Sequence, residues 1–158
     1  MGKARKLISL TIIVLFYALS AAADWPRFRG LNGTGEMDTH PLPEEIRPGA
    51  EQWQVAMPAG HSSPIVANGH VYLTAFVNDE LLTIAIDSKT GKEVWRRTAP
   101  RDRKEHLDKR NHPASPTPAV DHDKVVVFLP DFGLLAYSHA GRELWRTPLG
   151  PFDNSYGM

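Results

Sequence analysis

The side chains best suited to chemistry here are seven histidines: His40, His61, His70, His106, His112, His122 and His139. Imidazole binds metals and carries protons near neutral pH, yet the spacing contains no H-E-x-x-H or comparably close ligand pair. His122 and His139 fall in expected turns, where a polar ring is solvated. His61 and His112 hold comparable places ahead of two similar β-runs, so their readings are a ligand pair at a shared position or, the commoner outcome, structural or solvated rings. There is no cysteine, which removes disulfides, thiolate metal sites and cysteine nucleophiles. Gly30, Gly33 and Gly35 spell G-x-x-G-x-G, which is not a dinucleotide fingerprint, and no strand precedes them. Arg96 to His112 carries seven cations and three acids. It reads either as a contact for phosphate or acidic polymer or as a solvated connecting loop or short helix. The interleaved acids and the lack of an aromatic for base stacking favour the loop. No catalytic residue and no metal ligand is therefore assigned; a Ser-His-Asp triad is defined by geometry, not spacing.

These residues must be positioned by a chain that begins like an export substrate. Lys3, Arg5 and Lys6 precede the apolar stretch Leu7 to Leu19, and Ala21-x-Ala23 supplies a small-residue cleavage pattern. The apolar run is 13 residues, short of the roughly 20 needed for a membrane-spanning helix. Cleavage is expected after Ala23, placing the mature chain in the periplasm or outside the cell with no stable membrane span. No cysteine sits at the junction, so lipid attachment there is excluded. Removing three of the 18 cations and none of the 18 acids leaves a formal charge of −3, which disfavours nucleic acid as a partner.

Beyond an irregular Gly- and Pro-rich lead, short β-type runs appear at Ile65 to Ala67, Val71 to Phe76, Leu81 to Asp87 and Lys92 to Arg97. Turns at Asn68-Gly69, Asn78-Asp79 and Ser88 to Gly91 separate them. Apolar runs such as LLTIAI predict strands buried on both faces. The order returns at Pro118 to Val120, Lys124 to Leu129, Gly133 to Ser138 and Arg142 to Thr147. Ala85 to Arg96 (AIDSKTGKEVWR) aligns with Ala136 to Arg146 (AYSHAGRELWR). Gly91 and Gly141 each lie four residues before a tryptophan, Trp95 and Trp145, which are 50 residues apart; Trp53 lies 42 before Trp95. A period of roughly 40–50 residues with four strands per unit is the signature of propeller blades. The fold class is therefore all-β, with antiparallel four-stranded blades, about two of them and too few to close a ring.

In each unit the glycine can take positive φ without a Cβ clash. The tryptophan four residues on then faces one defined side of the sheet, where its ring can wedge against a neighbouring blade and its N–H can reach a carbonyl. Trp95, Trp145, Gly91 and Gly141 are the expected blade-docking residues. Asp87 is expected to accept backbone N–H bonds in its turn, with Ser138 a weaker acceptor at the matching place.

The first unit resembles the PQQ-like propeller repeat, whose hallmark A-x-D-x-x-T-G-x-x-x-W is matched by Ala85, Asp87, Thr90, Gly91 and Trp95. The second unit keeps Ala136, Gly141 and Trp145 and departs at Ser138 and Ala140. The opening DWPRFRG is similar to the start of many exported proteins of this type. WD40 and kelch propellers fit less well, because Trp95 and Trp145 are followed by arginine and no paired-glycine signature is present. The resemblance implies an exported propeller segment, similar either to the outer-membrane protein assembly scaffold or to quinoprotein dehydrogenases. The latter hold PQQ and calcium in a central pocket, with adjacent cysteines above the quinone. This chain has no cysteine, so no cofactor is expected, PQQ and calcium belonging only to the alternative of a dehydrogenase fragment. The leading expectation is a non-catalytic platform for a protein or an extracellular polymer, with missing propeller blades or a complementary fragment as further partners. A non-functional truncated product is the remaining alternative. The expected organisation is a signal peptide (1–23), an irregular lead (24–60) with a candidate propeller-closing strand at 51–56, and a first blade (61–100). An inter-blade loop (101–114), a second blade (115–150) and a lead toward another blade (151–158) follow.

Overall fold

The computed structural model describes residues 24–37 and 45–153. The export segment expected over 1–23, His40 and the tail from 154 onward lie outside the described residues. Eight strands form: β1 (Ile65–Ala67), β2 (His70–Val77), β3 (Glu80–Asp87), β4 (Glu93–Thr98), β5 (Ala119–Val120), β6 (Lys124–Leu129), β7 (Gly133–Ser138) and β8 (Glu143–Pro148). They make two antiparallel sheets, ordered β1-β2-β3-β4 and β5-β6-β7-β8. Among the described residues no helix is long and apolar enough to cross a membrane.

Local chemistry accounts for this layout. Asn68 and Gly69 adopt φ of 52° and 75°, and Asn78 and Asp79 adopt 51° and 66°. Paired positive φ values are what a two-residue hairpin loop needs to match the twist of its strands. The β5–β6 turn is closed by the Asp121 carboxylate, which accepts the Asp123 and Lys124 amides at 2.8 and 2.9 Å. Both sheets carry the same bulge between their third and fourth strands. Trp95 pairs with Ala85 and Glu93 with Ile86, while Trp145 pairs with Ala136 and Glu143 with Tyr137. The extra residue sets each tryptophan opposite an alanine, which leaves room for the indole.

One core lies between the sheets, where Ile65, Tyr72, Leu81 and Trp95 meet Val125, Val127, Leu135 and Tyr137. A second lies on the other face of the first sheet, where Leu82, Ile84 and Ile86 are covered by Trp53 and Met57. Residues Leu81 to Ile86 are buried without interruption, because β3 has apolar cover on both faces. The lead segment stitches the sheets together. Trp25 exchanges backbone hydrogen bonds with Val66, and the Pro26 carbonyl accepts the Val120 amide at 2.8 Å. The strand expected at 51–56 is not formed: the segment has no ladder partner and is held through the Trp53 side chain instead. A strand needs a neighbouring backbone edge, and among the described residues none lies beside this segment.

Candidate functional site: an inter-blade docking surface

Three of the four repeated residues, Gly91, Gly141 and Trp95, enter two copies of one contact, which Trp53 completes. At Gly91, φ is +70°, and a Cβ placed there would stand 2.7 Å from Cδ2 of Trp53. Trp53 Nε1 donates to the Ser88 carbonyl at 2.9 Å. At Gly141, φ is +78°, and a Cβ would stand 2.6 Å from Cγ of Trp95, whose Nε1 donates to the His139 carbonyl at 2.8 Å. Ser88 and His139 are each the first residue after their sheet's third strand. The two acceptor turns are thus equivalent although the second is one residue shorter. Each indole lies flat on the bare face of a glycine because a side chain there would push it off. Arg97 adds a lid over Trp95, with its guanidinium 5.8 Å from the ring centre and Nε donating to the Gly141 carbonyl at 2.6 Å.

Trp145 occupies the place in the second sheet that Trp95 holds in the first, yet it is 39% exposed where Trp95 is 5%. Among the described residues no glycine turn lies against it. Asp87 accepts the Thr90 and Lys89 amides and the Thr90 hydroxyl, and these bonds, led by the Thr90 hydroxyl, hold its carboxyl below the usual carboxylate range. Ser138 Oγ accepts one amide, from Arg142 at 3.1 Å.

His139 is not a merely solvated turn residue. Its ring links the blades, with Nδ1 accepting from the Tyr72 hydroxyl at 3.0 Å and Nε2 donating to the His122 carbonyl at 3.1 Å. Burial, aided by the Asp24 carboxylate, pushes the Tyr72 hydroxyl up to about 12. His122 itself is exposed and pairs with Asp123. His61 and His112 are brought together, ring centres 4.9 Å apart and tilted by 35°. The backbone amides of His61 and Ser62 share the Ala114 carbonyl at 3.0 Å each. Burial, then the neighbouring His61, lowers the pKa of His112. The Ala114 amide donates to Nδ1 of His112 at 3.3 Å, which puts the neutral ring's proton on Nε2 and disfavours metal ligation there. Among the described residues no three His, Asp or Glu side chains group to hold a metal ion.

The segment from Arg96 to His112 forms no helix: its first three residues end β4, and beyond them a largely exposed connection is pinned at Arg101 and Arg103. Arg101 Nε binds the buried Asp131 carboxylate at 2.5 Å, its other arm pairs with Asp79, and it stacks 4.9 Å from the Phe76 ring centre. Asp131 also accepts the Glu105 amide at 2.8 Å, and Arg103 pairs with Glu105 and donates to the Pro130 carbonyl. Hydrogen bonds from Lys104, then Arg101, lower the Asp79 pKa. Of the seven cations suspected of binding phosphate, Arg101 and Arg103 are consumed by this inter-blade clamp, while Lys104, Lys109 and Arg110 stay exposed. Spacing gave no sign of Asp131, which lies 30 residues from Arg101 inside an apolar turn.

This geometry, two stacked four-stranded sheets joined through an indole on a glycine turn, defines a β-propeller of PQQ-like repeats. A family model described as outer membrane protein assembly factor BamB matches residues 45–155, and the chain belongs to that family. Among solved structures it is similar to a europium-containing methanol dehydrogenase, at 18% identity over 57% of this chain, with a TM-score of 0.32. The match spans only 25% of that enzyme's length. No curated protein matches the chain.

Proposed function

We propose that the chain is an exported, non-catalytic propeller segment whose blades serve as a platform for a protein or an extracellular polymer. The observation that carries this reading is the face around Trp145, which repeats an interface the protein already uses between its own sheets but leaves it open. Exposed apolar surface built to an established packing pattern favours macromolecular contact. Export is supported by the sequence of residues 1–23 and by the family's description. The described residues do not fit a calcium–quinone centre. Asp87, Asp121 and Asp131 are engaged by arginine, lysine or turn groups, no three His, Asp or Glu side chains among the described residues group to hold a metal ion, and the chain has no cysteine to cap a quinone. Calorimetric titration of the mature chain with PQQ and calcium tests the reading. No saturable binding is expected, and a dissociation constant in the micromolar range or tighter would favour a dehydrogenase piece instead.

A further inference from the structure

The turn from His112 to Ser115 ties the approach of the second blade to the first through one buried carbonyl. Ala114 is fully buried, and its carbonyl accepts the backbone amides of His61 and Ser62 at 3.0 Å each and the Thr74 hydroxyl at 3.3 Å. Three donors of the first blade thus end on one atom. The turn that aims this atom is closed by His112. Its amide donates to Ser115 Oγ at 2.9 Å, its carbonyl accepts the Ser115 amide at 2.9 Å, and its ring Nδ1 accepts the Ala114 amide at 3.3 Å. The last bond needs a lone pair on Nδ1, which only the neutral ring has. The surroundings favour that neutral form. The His61 ring lies 4.9 Å away and the Phe76 ring presents its edge at 5.8 Å. Arg101 stacks on that same Phe76 ring, so the charge held against β2 here is also positive. On the segment of His112 itself, Asp108 pairs with Arg110 at 2.8 Å. Among the described residues no carboxylate partners the His112 ring, and burial, then His61, lowers its affinity for a proton.

We propose that the His112–Ser115 turn is an acid-sensitive latch, in which a proton taken up by Nδ1 of His112 frees the first blade from the Ala114 carbonyl. The proton passes from solvent to the Nδ1 lone pair of the half-buried ring, and no other covalent bond changes. Once protonated, Nδ1 is a donor aimed at a second donor, the Ala114 amide, and the imidazolium faces His61 across 4.9 Å. The ring then turns away, the turn loses the bond that closes it, and the Ala114 carbonyl leaves the His61 and Ser62 amides. The neutral ring stabilises the joint above the ordinary imidazole range, and that contribution is lost as pH falls below about 6.5. The Arg101–Asp131 clamp contains no imidazole and holds while the latch opens. Acid therefore loosens one end of the joint and leaves both sheets folded. The latch belongs to the fold itself and does not rest on the platform reading.

Amide hydrogen exchange of the mature chain, followed by NMR at about pH 7.5 and about pH 5.5 and corrected for intrinsic rates, reads the latch. The His61 and Ser62 amides are expected to lose protection at the lower pH, whereas the amides of the β2–β3 ladder keep theirs. His112→Asn sets a side-chain oxygen near the Nδ1 position that stays an acceptor at both pH values, and its His61 and Ser62 amides are expected to show no such loss. His61→Asn is expected to reduce the loss at Ser62 without abolishing it, because burial still opposes the proton on His112. Equal acid losses in the unaltered chain and His112→Asn overturn the proposal, as does a loss spread evenly over both sheets. If His112→Asn does not fold, NMR titration of the unaltered chain decides. The His112 ring is expected to titrate below a free imidazole, with the His61 and Ser62 amide shifts following its midpoint. A ring that titrates at or above the free value, or amides that do not follow it, overturns the latch.

Discussion

Replacing Gly141 by alanine places a methyl group where Trp95 lies. The new Cβ would stand 2.6 Å from Cγ and 2.7 Å from Cδ2 of the indole, well inside van der Waals contact. Two costs follow. Holding alanine at φ +78° costs about 1–2 kcal/mol, because its Cβ crowds the following carbonyl in left-handed backbone. Moving the indole to relieve the overlap strains its bond to the His139 carbonyl and its packing on Tyr72 and Tyr137, at about 1–3 kcal/mol. The sum, about 2–5 kcal/mol, is a large part of the roughly 5–15 kcal/mol that holds an ordinary domain together. Trp95→Ala alone is expected to cost about 3–5 kcal/mol through lost burial and a cavity. In that background Gly141→Ala meets no indole, so only the backbone cost of about 1–2 kcal/mol remains. Urea unfolding of the four proteins, followed by circular dichroism, should therefore return a coupling of about 1–3 kcal/mol between the two sites. Strict additivity, or a Gly141→Ala protein as stable as the parent, would refute the indole-on-glycine account.

Two other outcomes are expected. Asp131→Ala should destabilise by about 3–5 kcal/mol, because it strips a buried partner from Arg101. Asp79→Ala, at the 60% exposed end of the same arginine, should cost under about 1 kcal/mol; thermal melts giving the reverse order would contradict the clamp. Bonds from Lys124 first, then from turn amides, depress Asp121 to about 2. A depressed carboxylate stabilises the fold above its ordinary range, and that contribution is lost as pH falls from about 4 toward about 2. The stability gap between the parent and Asp121→Asn should accordingly close over that window in acid titrations of the unfolding midpoint, and a gap that persists at the acid end would count against it.

The blades were legible because their determinants are local. Asn-Gly and Asn-Asp pairs mark hairpins, the LLTIAI run marks a strand covered on both faces, and the glycine-to-tryptophan spacing repeats. Spacing singled out Gly91, Gly141, Trp95 and Trp145, and of these Trp145 meets no glycine turn among the described residues. What each indole touches was not legible, since Trp95 reaches a turn 44 residues away and Trp53 one 35 residues away. The segment around Trp53 was read as a candidate closing strand because its tryptophan lies 42 residues before Trp95, but pairing depends on an edge that no local pattern reveals. The Arg101–Asp131 clamp stayed hidden for a related reason. Charged residues in an irregular segment carry no period, and their burial is decided by a turn in the next sheet. The lead segment left as little trace, since it contributes single residues, Trp25 and Pro26, to each sheet edge.

The docking contact is split between units: the indole rides on one sheet and the glycine turn on the next. A gene segment encoding one unit therefore carries both halves of the joint, one at each side. Copying such a segment in tandem lengthens the array without any new surface having to arise, because the fresh copy already fits its predecessor and already offers itself to a successor. The second unit has Ser138 and Ala140 where the first unit's turn has Asp87 and Thr90, and it shares the glycine and the tryptophan. The glycine and the tryptophan are the two halves of the joint, whereas the turn residues that differ lie ahead of the glycine and touch no indole through their side chains.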